Sequence, residues 1–593
     1  MLGITLESRV TIEEPFPSIS FFAMILFNSL PVFAFATVVL AQQTGSENGT
    51  YIDGQLTSAI QSIMNKNNIT GLALGILSPT GNVEFGAWGN RTETGDKVQP
   101  DTIFGIGSLS KGFLSASLGI LMQDFADGVN KTALPEGVPR FDWDTKVTDL
   151  LPGEWKTEDE FSTVKADLRD LLSHVTGLPA HDMSYSANDS PHDLVVRMRN
   201  LRTAYEFRQL FEYNNQMFIT GAYIVSKLSG ISYSDFVENR IMLPLNMSSS
   251  TLHPDNVLNL DTFSQTWSPS GRRIPFFADE QGMEFIAGAG GVISTAQDML
   301  KWAKLILNGG VVAETNSTII PHATFQLATT GNSVLAAANK GDGRFAPMQY
   351  GLGWVRTAYR GHELIWHNGG APGVSSMCTI FPYDNFAVVV LSNTAGSGPN
   401  DIAIAVADRV LGLAASPASE SSSGLLGSTS TSNPSATPTA TSSVVPSNAA
   451  NLAGEYANAG YGNFTLCSAS SSTPACIEIL KNFTKVDTAA GKSTSLNSTE
   501  LYGVWPRFWG THLRFIPIPG TDYYAGELTT LYVDGYGADK TPFEDPVFTF
   551  VLSFMEEEGK VVGLGFFVAQ ATTWREKKGG NVREMADAWF DKI

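Results

Sequence analysis

Cysteine is scarce in this sequence, with three in 593 residues. A cystine-rich scaffold and a cysteine-held metal cluster are both excluded at that count. Cys467 and Cys476 can close a short loop as a disulfide in an oxidising compartment, and Cys378, in an apolar run, is expected to be a buried free thiol. Basic charge is short too. Lys and Arg total 38 against 58 Asp and Glu, a formal net charge of −20. No Lys/Arg cluster offsets it, which argues against a nucleic-acid partner. The eight histidines form no His-x-His-x-Asp or His-Glu-x-x-His pattern, so neither a metal nor a cofactor is expected.

What is present describes a well-cored globular chain, 43% hydrophobic and only 16% charged, long enough for two or three domains. Residues 19–41 carry no charge, and Val39-Leu40-Ala41 before Gln42 resembles a signal-peptidase site. Residues 1–41 therefore read as a signal peptide, with Met24 as an alternative start. The rival reading is a signal anchor that spans a bilayer, against which Asn28 and Pro31 count. Secretion fits the Asn-x-Ser/Thr acceptors recurring from Asn48 to Asn497. The chain is then extracellular and has no stable membrane partner once the signal is cleaved.

The central stretch is Gly105-Ile106-Gly107-Ser108-Leu109-Ser110-Lys111-Gly112. Behind it, residues 113–122 are almost all apolar or small, the mark of a buried helix. Ser108 and Lys111, three apart, share one helix face near its positive end. A serine hydroxyl needs a base to become a nucleophile, and a lysine can serve when burial lowers its pKa. A second Ser-x-x-Lys, Ser162 to Lys165, follows acidic residues and reads as an exposed helix start capped by Ser162 or Thr163.

Along the chain, a helix over 56–64 and strands over 71–77 and 82–88 are followed by mainly helical periodicity to about residue 240. Tyr213-Asn214-Asn215 precedes a helix over 219–228. Ser294 or Thr295 caps a helix over 296–307. Strands return at 353–359, 363–367, 374–381 and 387–391, and a helix over 401–413 closes the unit. Strands at both ends with helices between predict one antiparallel sheet joined by both termini, with an inserted helical lobe. Residues 414–450 are nearly all Ser, Thr, Ala, Pro and Gly and read as a linker. From 451 to 593, short strands separated by Gly and Asp turns predict a β-barrel or sandwich, with no helix before 582–591.

Ser108-x-x-Lys111, Tyr213-x-Asn215 and His367-Asn368-Gly369-Gly370 stand in that order. With Leu171–Pro179 and Tyr350-Gly351-Leu352-Gly353-Trp354, they make residues 52–413 resemble the serine β-lactamase and penicillin-binding-protein family, in its class C-like, peptidase S12-type branch. The C-terminal part resembles the lipocalin-like domains of some members. The resemblance implies an α/β fold of the β-lactamase/transpeptidase type and an acyl-Ser108 intermediate. Lys111 and Tyr213 would share the acid and base duty, and either could take the first proton. Asn215 would hold Lys111 or the substrate amide. Backbone N–H groups of Ser108 and Gly370 would form the oxyanion hole, Gly370 lying on the strand that carries the substrate-binding residues His367, Asn368 and Gly369. Many penicillin-recognising members have Lys-Thr-Gly where this chain has His367-Asn368-Gly369. A largely neutral imidazole attracts a carboxylate less than a lysine does, so esters and peptide-like amides are expected ahead of lactams. The expected reaction is hydrolysis of a small-molecule or peptide-like substrate. An acyltransferase using the same acyl-enzyme, or an inactive binding protein, are the alternatives.

Overall fold

The computed structural model describes residues 50–336, 343–415, 448–492, 494–569 and 573–593. The expected signal segment, 1–41, and most of the Ser/Thr-rich linker lie outside them.

An eight-stranded antiparallel sheet forms the first half. In chain order its strands are β1 (Gly71–Leu77), β2 (Val83–Gly89), β3 (Ser333–Ala336), β4 (Met348–Tyr350), β5 (Val355–Tyr359), β6 (His362–Ala371), β7 (Val374–Phe381) and β8 (Phe386–Ser392). Spatially they run β2-β1-β8-β7-β6-β5-β4-β3. The first strand thus pairs with the last, as the sequence predicts. The central strands read as unbroken apolar runs because both faces are covered. On one face α1 (Gly54–Lys66) and the helix Gly398–Val410 pack Leu56, Ile60, Ile402 and Val406 against Leu72, Leu74, Val388 and Val390. On the other, Ala73, Val389 and Leu391 meet α2 (Ser110–Ala126) and α3 (Ala296–Leu307). There Phe113 stacks on Trp302 with ring centroids 4.0 Å apart. Thr295 caps α3 through the amide of Asp298.

Several expectations shift. The helix expected over 219–228 begins at Asn215 and runs to Ser229 (α4), because the Asn214 side chain accepts from the Gln216 amide and caps it earlier. Glu280–Gly290 is a further helix, α5, that its glycines disguise. Those glycines allow close approach, since a Cβ on Gly288 would lie 2.6 Å from the Phe218 carbonyl of α4. The second Ser-x-x-Lys sits in Glu160–Lys165, capped by Asp159 rather than by either hydroxyl. Ser162 is not exposed there; it is buried and donates to the Thr176 carbonyl.

The C-terminal part is a closed eight-stranded barrel. Rings of Phe464, Trp505, Phe515, Phe550, Phe566 and Phe590 fill its interior. A helix stands where only strands are expected: α6 (Pro474–Ala489), capped by Thr473 with Pro474 in its first turn. Its face of Ile479, Phe483 and Val486 packs on the barrel wall beside the Cys467–Cys476 disulfide. The helix expected over 582–591 ends at Met585, and Ala588–Lys592 is instead the strand that closes the barrel. It pairs with Lys560–Phe567 on one side and Gly454–Asn458 on the other. Closure satisfies edge amides that a helix would leave bare. Cys378 is buried and free.

Barrel and sheet unit share one apolar cluster, in which Phe508 and Trp509 of the barrel meet Phe285 and Phe277. Polar bonds cross the same seam. His181 Nδ1 and the Tyr461 hydroxyl lie 2.5 Å apart, and Arg202 donates to the carbonyls of Arg583 and Ala586 at 2.7 and 3.0 Å.

Candidate active site

Gly107, Ser108 and Leu109 form a single 3-10 turn, and α2 begins one residue later, so Ser108 stands just before the helix. Gly107 adopts φ +52°. A Cβ there would lie 2.7 Å from the Gly370 nitrogen, and one on Gly369 would lie 1.9 Å from the Ile106 carbonyl. Only glycines let strand β6 come so close to the turn. On the neighbouring strand β7, Ser376 Oγ ties the sheet to the same turn, donating to the Ile106 carbonyl at 2.7 Å. Ser110 fixes the turn from below: its hydroxyl donates to the Gly107 carbonyl at 2.7 Å and accepts from the Val292 amide at 3.0 Å.

Lys111 is fully buried. Its Nζ lies 2.7 Å from Asn215 Oδ1, 2.8 Å from the Ala289 carbonyl oxygen and 3.1 Å from Ser108 Oγ. The first two are acceptors only. A neutral amine has two N–H bonds for them and one lone pair, which then faces Ser108. Desolvation pushes the Lys111 pKa well below the usual lysine range, while the Asp182 carboxylate pulls it back up. Tyr213 Oη donates to Ser108 Oγ at 2.8 Å. Burial raises the Tyr213 pKa, so the phenol keeps its proton. Burial therefore favours tyrosine as the donor to Ser108 and makes Lys111 a readier proton acceptor than an exposed lysine.

The segment before Tyr213 is held by the run from Leu171 to Pro179. The Asn214 amide donates to His174 Nδ1 at 3.1 Å, the Glu212 amide to the His174 carbonyl at 2.9 Å, and Asn214 Nδ2 to the Pro179 carbonyl at 2.8 Å. His174, at φ +61°, packs among Phe211, Tyr213, Phe218 and Tyr350. His367 is buried in the same group. Its Nδ1 lies 2.6 Å from the Asn368 carbonyl and its Nε2 3.0 Å from the Tyr350 hydroxyl, which suits a neutral ring donating through Nδ1. Burial, with Lys111 adding to it, lowers the His367 pKa to about 3.

Ser108, Asn215 and Gly370 line an open cleft, whose other walls include Phe277, Ile286, Trp509, Val547 and Phe548. Lys111 and Tyr213 reach Ser108 from the protein side. Part of the cleft is therefore made by the barrel, which the sequence alone does not reveal. Asp182 and Asp545 also face the cleft. Neither Asp182 nor its partner Tyr185 belongs to a motif, and His181-Asp182 following so soon after Leu178-Pro179 is the only cue. Among the described residues no group of His, Cys, Asp and Glu could hold a metal ion.

An unguisins hydrolase of Aspergillus campestris is 26% identical over 363 residues, covering 59% of this chain and 63% of its own. Penicillin-binding protein 4* of Bacillus subtilis is 23% identical over 320 residues, 50% and 62% of the two chains. This chain thus spans less than two thirds of the length of either. In fold it is similar to the octameric penicillin-binding protein homologue from Pyrococcus abyssi, with a TM-score of 0.51 at 18% identity over 87% of this chain and 98% of that one. The sequence profile described as Beta-lactamase matches residues 56–412, more than half of the protein, and the chain belongs to that family.

Proposed function

We propose that this protein is a secreted serine hydrolase that cleaves an ester or amide through an acyl intermediate on Ser108. The observation that carries the reading is the Lys111 environment. Two fixed acceptors occupy its N–H bonds, so its lone pair is left for the Ser108 hydroxyl. Lys111 takes the hydroxyl proton as Oγ attacks the substrate carbonyl. The tetrahedral oxyanion is received by the amides of Ser108 and Gly370. As the C–N or C–O bond breaks, the leaving atom is protonated from the Tyr213–Lys111 pair. Water then attacks the acyl-Ser108, its proton passing to the same pair, and Ser108 is released. The naming of a relative as a hydrolase supports the reaction class.

The cleft's chemistry supports the substrate preference. Its walls are largely apolar, two carboxylates face it, and no Lys or Arg is among its lining residues. Asp545 is buried, and burial pushes its pKa up to about 6. Such a site disfavours a substrate carboxylate and suits neutral or cationic peptide-like amides and esters. Secretion is supported by the Cys467–Cys476 bond and by exposed acceptor asparagines such as Asn68, Asn246, Asn316 and Asn463.

The test is mass spectrometry after treatment with a serine-directed fluorophosphonate. Label is expected on Ser108, and Ser108→Ala should lose both the label and hydrolysis of p-nitrophenyl esters. Label on Ser162, or ester turnover surviving in Ser108→Ala, would overturn the assignment.

A further inference from the structure

Asp182 is a largely buried carboxyl group in the cleft lining, and burial raises its pKa. Two donors meet it, Tyr185 Oη on Oδ1 at 2.9 Å and Asn215 Nδ2 on Oδ2 at 3.1 Å. Beyond it, Trp509 of the barrel donates its indole N–H to Tyr185 Oη at 3.0 Å, and the Phe508 amide donates to the Tyr185 carbonyl at 3.1 Å. On the other side Asn215 Oδ1 meets Lys111 at 2.7 Å. An unbroken hydrogen-bonded chain therefore runs Trp509, Tyr185, Asp182, Asn215, Lys111, Ser108.

Elementary donor and acceptor chemistry sets its direction. An indole N–H can only donate, so the Tyr185 oxygen accepts there and its own proton is directed to Asp182. The Asp182 oxygens are the acceptors, Oδ1 of the Tyr185 hydroxyl and Oδ2 of the Asn215 NH2. The Asn215 carbonyl oxygen is then the end that faces Lys111. With the amide reversed, its NH2 would take the lysine lone pair and leave Ser108 without a base.

We propose that Asp182 and Tyr185, clamped by Trp509, are positioning residues that set the Asn215 amide and so aim Lys111 at Ser108. The C-terminal barrel is in this way part of the catalytic apparatus. The inference rests on the acyl-Ser108 reading above. The other titratable groups around Lys111 are Tyr213, His174 and His367. Burial keeps both imidazoles neutral and the phenol protonated. Asp182 is the carboxyl group of that shell, and its pull raises the Lys111 pKa.

The experiment uses the full-length chain and three variants: Asp182→Asn, Tyr185→Phe and Trp509→Phe. Each protein is first titrated with the fluorophosphonate, then kcat and KM for a short-chain p-nitrophenyl ester are followed from pH 5 to 9. Asp182→Asn keeps the shape but lets Asn215 reverse; kcat should fall roughly 10- to 100-fold. Its acidic limb should move to lower pH by about one unit, because the carboxyl group that held the Lys111 pKa up is gone. Tyr185→Phe, which does not line the cleft, should lower kcat several-fold with KM nearly unchanged. Trp509→Phe removes the indole N–H and also narrows the aromatic surface on the cleft wall; it should lower kcat less than Asp182→Asn and shift KM as well. Wild-type kcat and pH limb in Asp182→Asn would overturn the proposal. So would a loss of activity with the pH limb unmoved, since that marks a merely structural role. Should Asp182→Asn fail to fold, the kcat against KM split in Tyr185→Phe decides. Absence of wild-type labelling on Ser108 would instead refute the parent mechanism, and this inference with it.

Discussion

At Lys111 two forces oppose each other. Complete burial disfavours the ammonium, while Asp182 at the far side of Asn215 favours it. The balance decides whether the amine can take a proton at working pH, which is why so much of the surrounding hydrogen bonding is fixed. His367 makes the contrasting case. Its ring is committed to Tyr350 and to the Asn368 carbonyl, and a pKa near 3 keeps it neutral across any ordinary assay. It therefore supplies no cation for a substrate carboxylate. Activity on short esters should exceed activity on a chromogenic cephalosporin, measured as kcat/KM. His367→Ala should lower turnover several-fold, because Tyr350 loses its partner beside Tyr213, yet Ser108 should still acylate. Efficient cephalosporin turnover, unchanged in His367→Ala, would show the residue to be a bystander.

At the level of elements, the site depends on how closely β6 approaches the turn before α2. That approach is permitted at Gly369, where an added Cβ would meet the Ile106 carbonyl at 1.9 Å and Ser376 Oγ at 2.4 Å. Backbone cannot yield as a flexible side chain can. Gly369→Ala should cost roughly 2–4 kcal/mol of stability by overpacking and should push Gly370 away from Ser108. Urea unfolding and the rate of fluorophosphonate labelling would both report it. Labelling at the wild-type rate would mean that β6 does not set the geometry around Ser108.

For the molecule as a whole, the barrel is more than an appendage. It shares an apolar cluster with the sheet unit, lines the cleft with Trp509, Val547 and Phe548, and is bonded across the seam at His181, Arg202 and Tyr185. A site-specific protease sequence inserted within residues 416–447 should give two chains that still co-elute on gel filtration and keep ester hydrolysis. Separation of the pieces with full activity in the sheet unit alone would contradict a barrel wall that matters.

The sequence by itself determined the elements whose cause is local or periodic. The apolar helix behind Ser108, a cap at Ser294 or Thr295, the β7–β8 hairpin and the short strands of the barrel are all legible in runs of neighbouring residues. The site was legible to the same depth. Ser108 and Lys111 share one turn of chain, and Tyr213, Asn215 and Gly370 announce themselves by motif. Only the tertiary structure decided the rest, because the partners are far apart along the chain. Asn215 is turned by Asp182, Asp182 is bonded by Tyr185, and Tyr185 is pinned by a tryptophan 324 residues later. Helix α6 was hidden among strand signals because its apolar face becomes readable only against the barrel wall. The last strand looked helical because its true partners, at residues 454–458 and 560–567, meet it only when the barrel closes. Hydrogen-bond direction and burial belong to the packed molecule, and they are what turn a common Ser-x-x-Lys into a candidate nucleophile while Ser162 stays bonded to the Thr176 carbonyl.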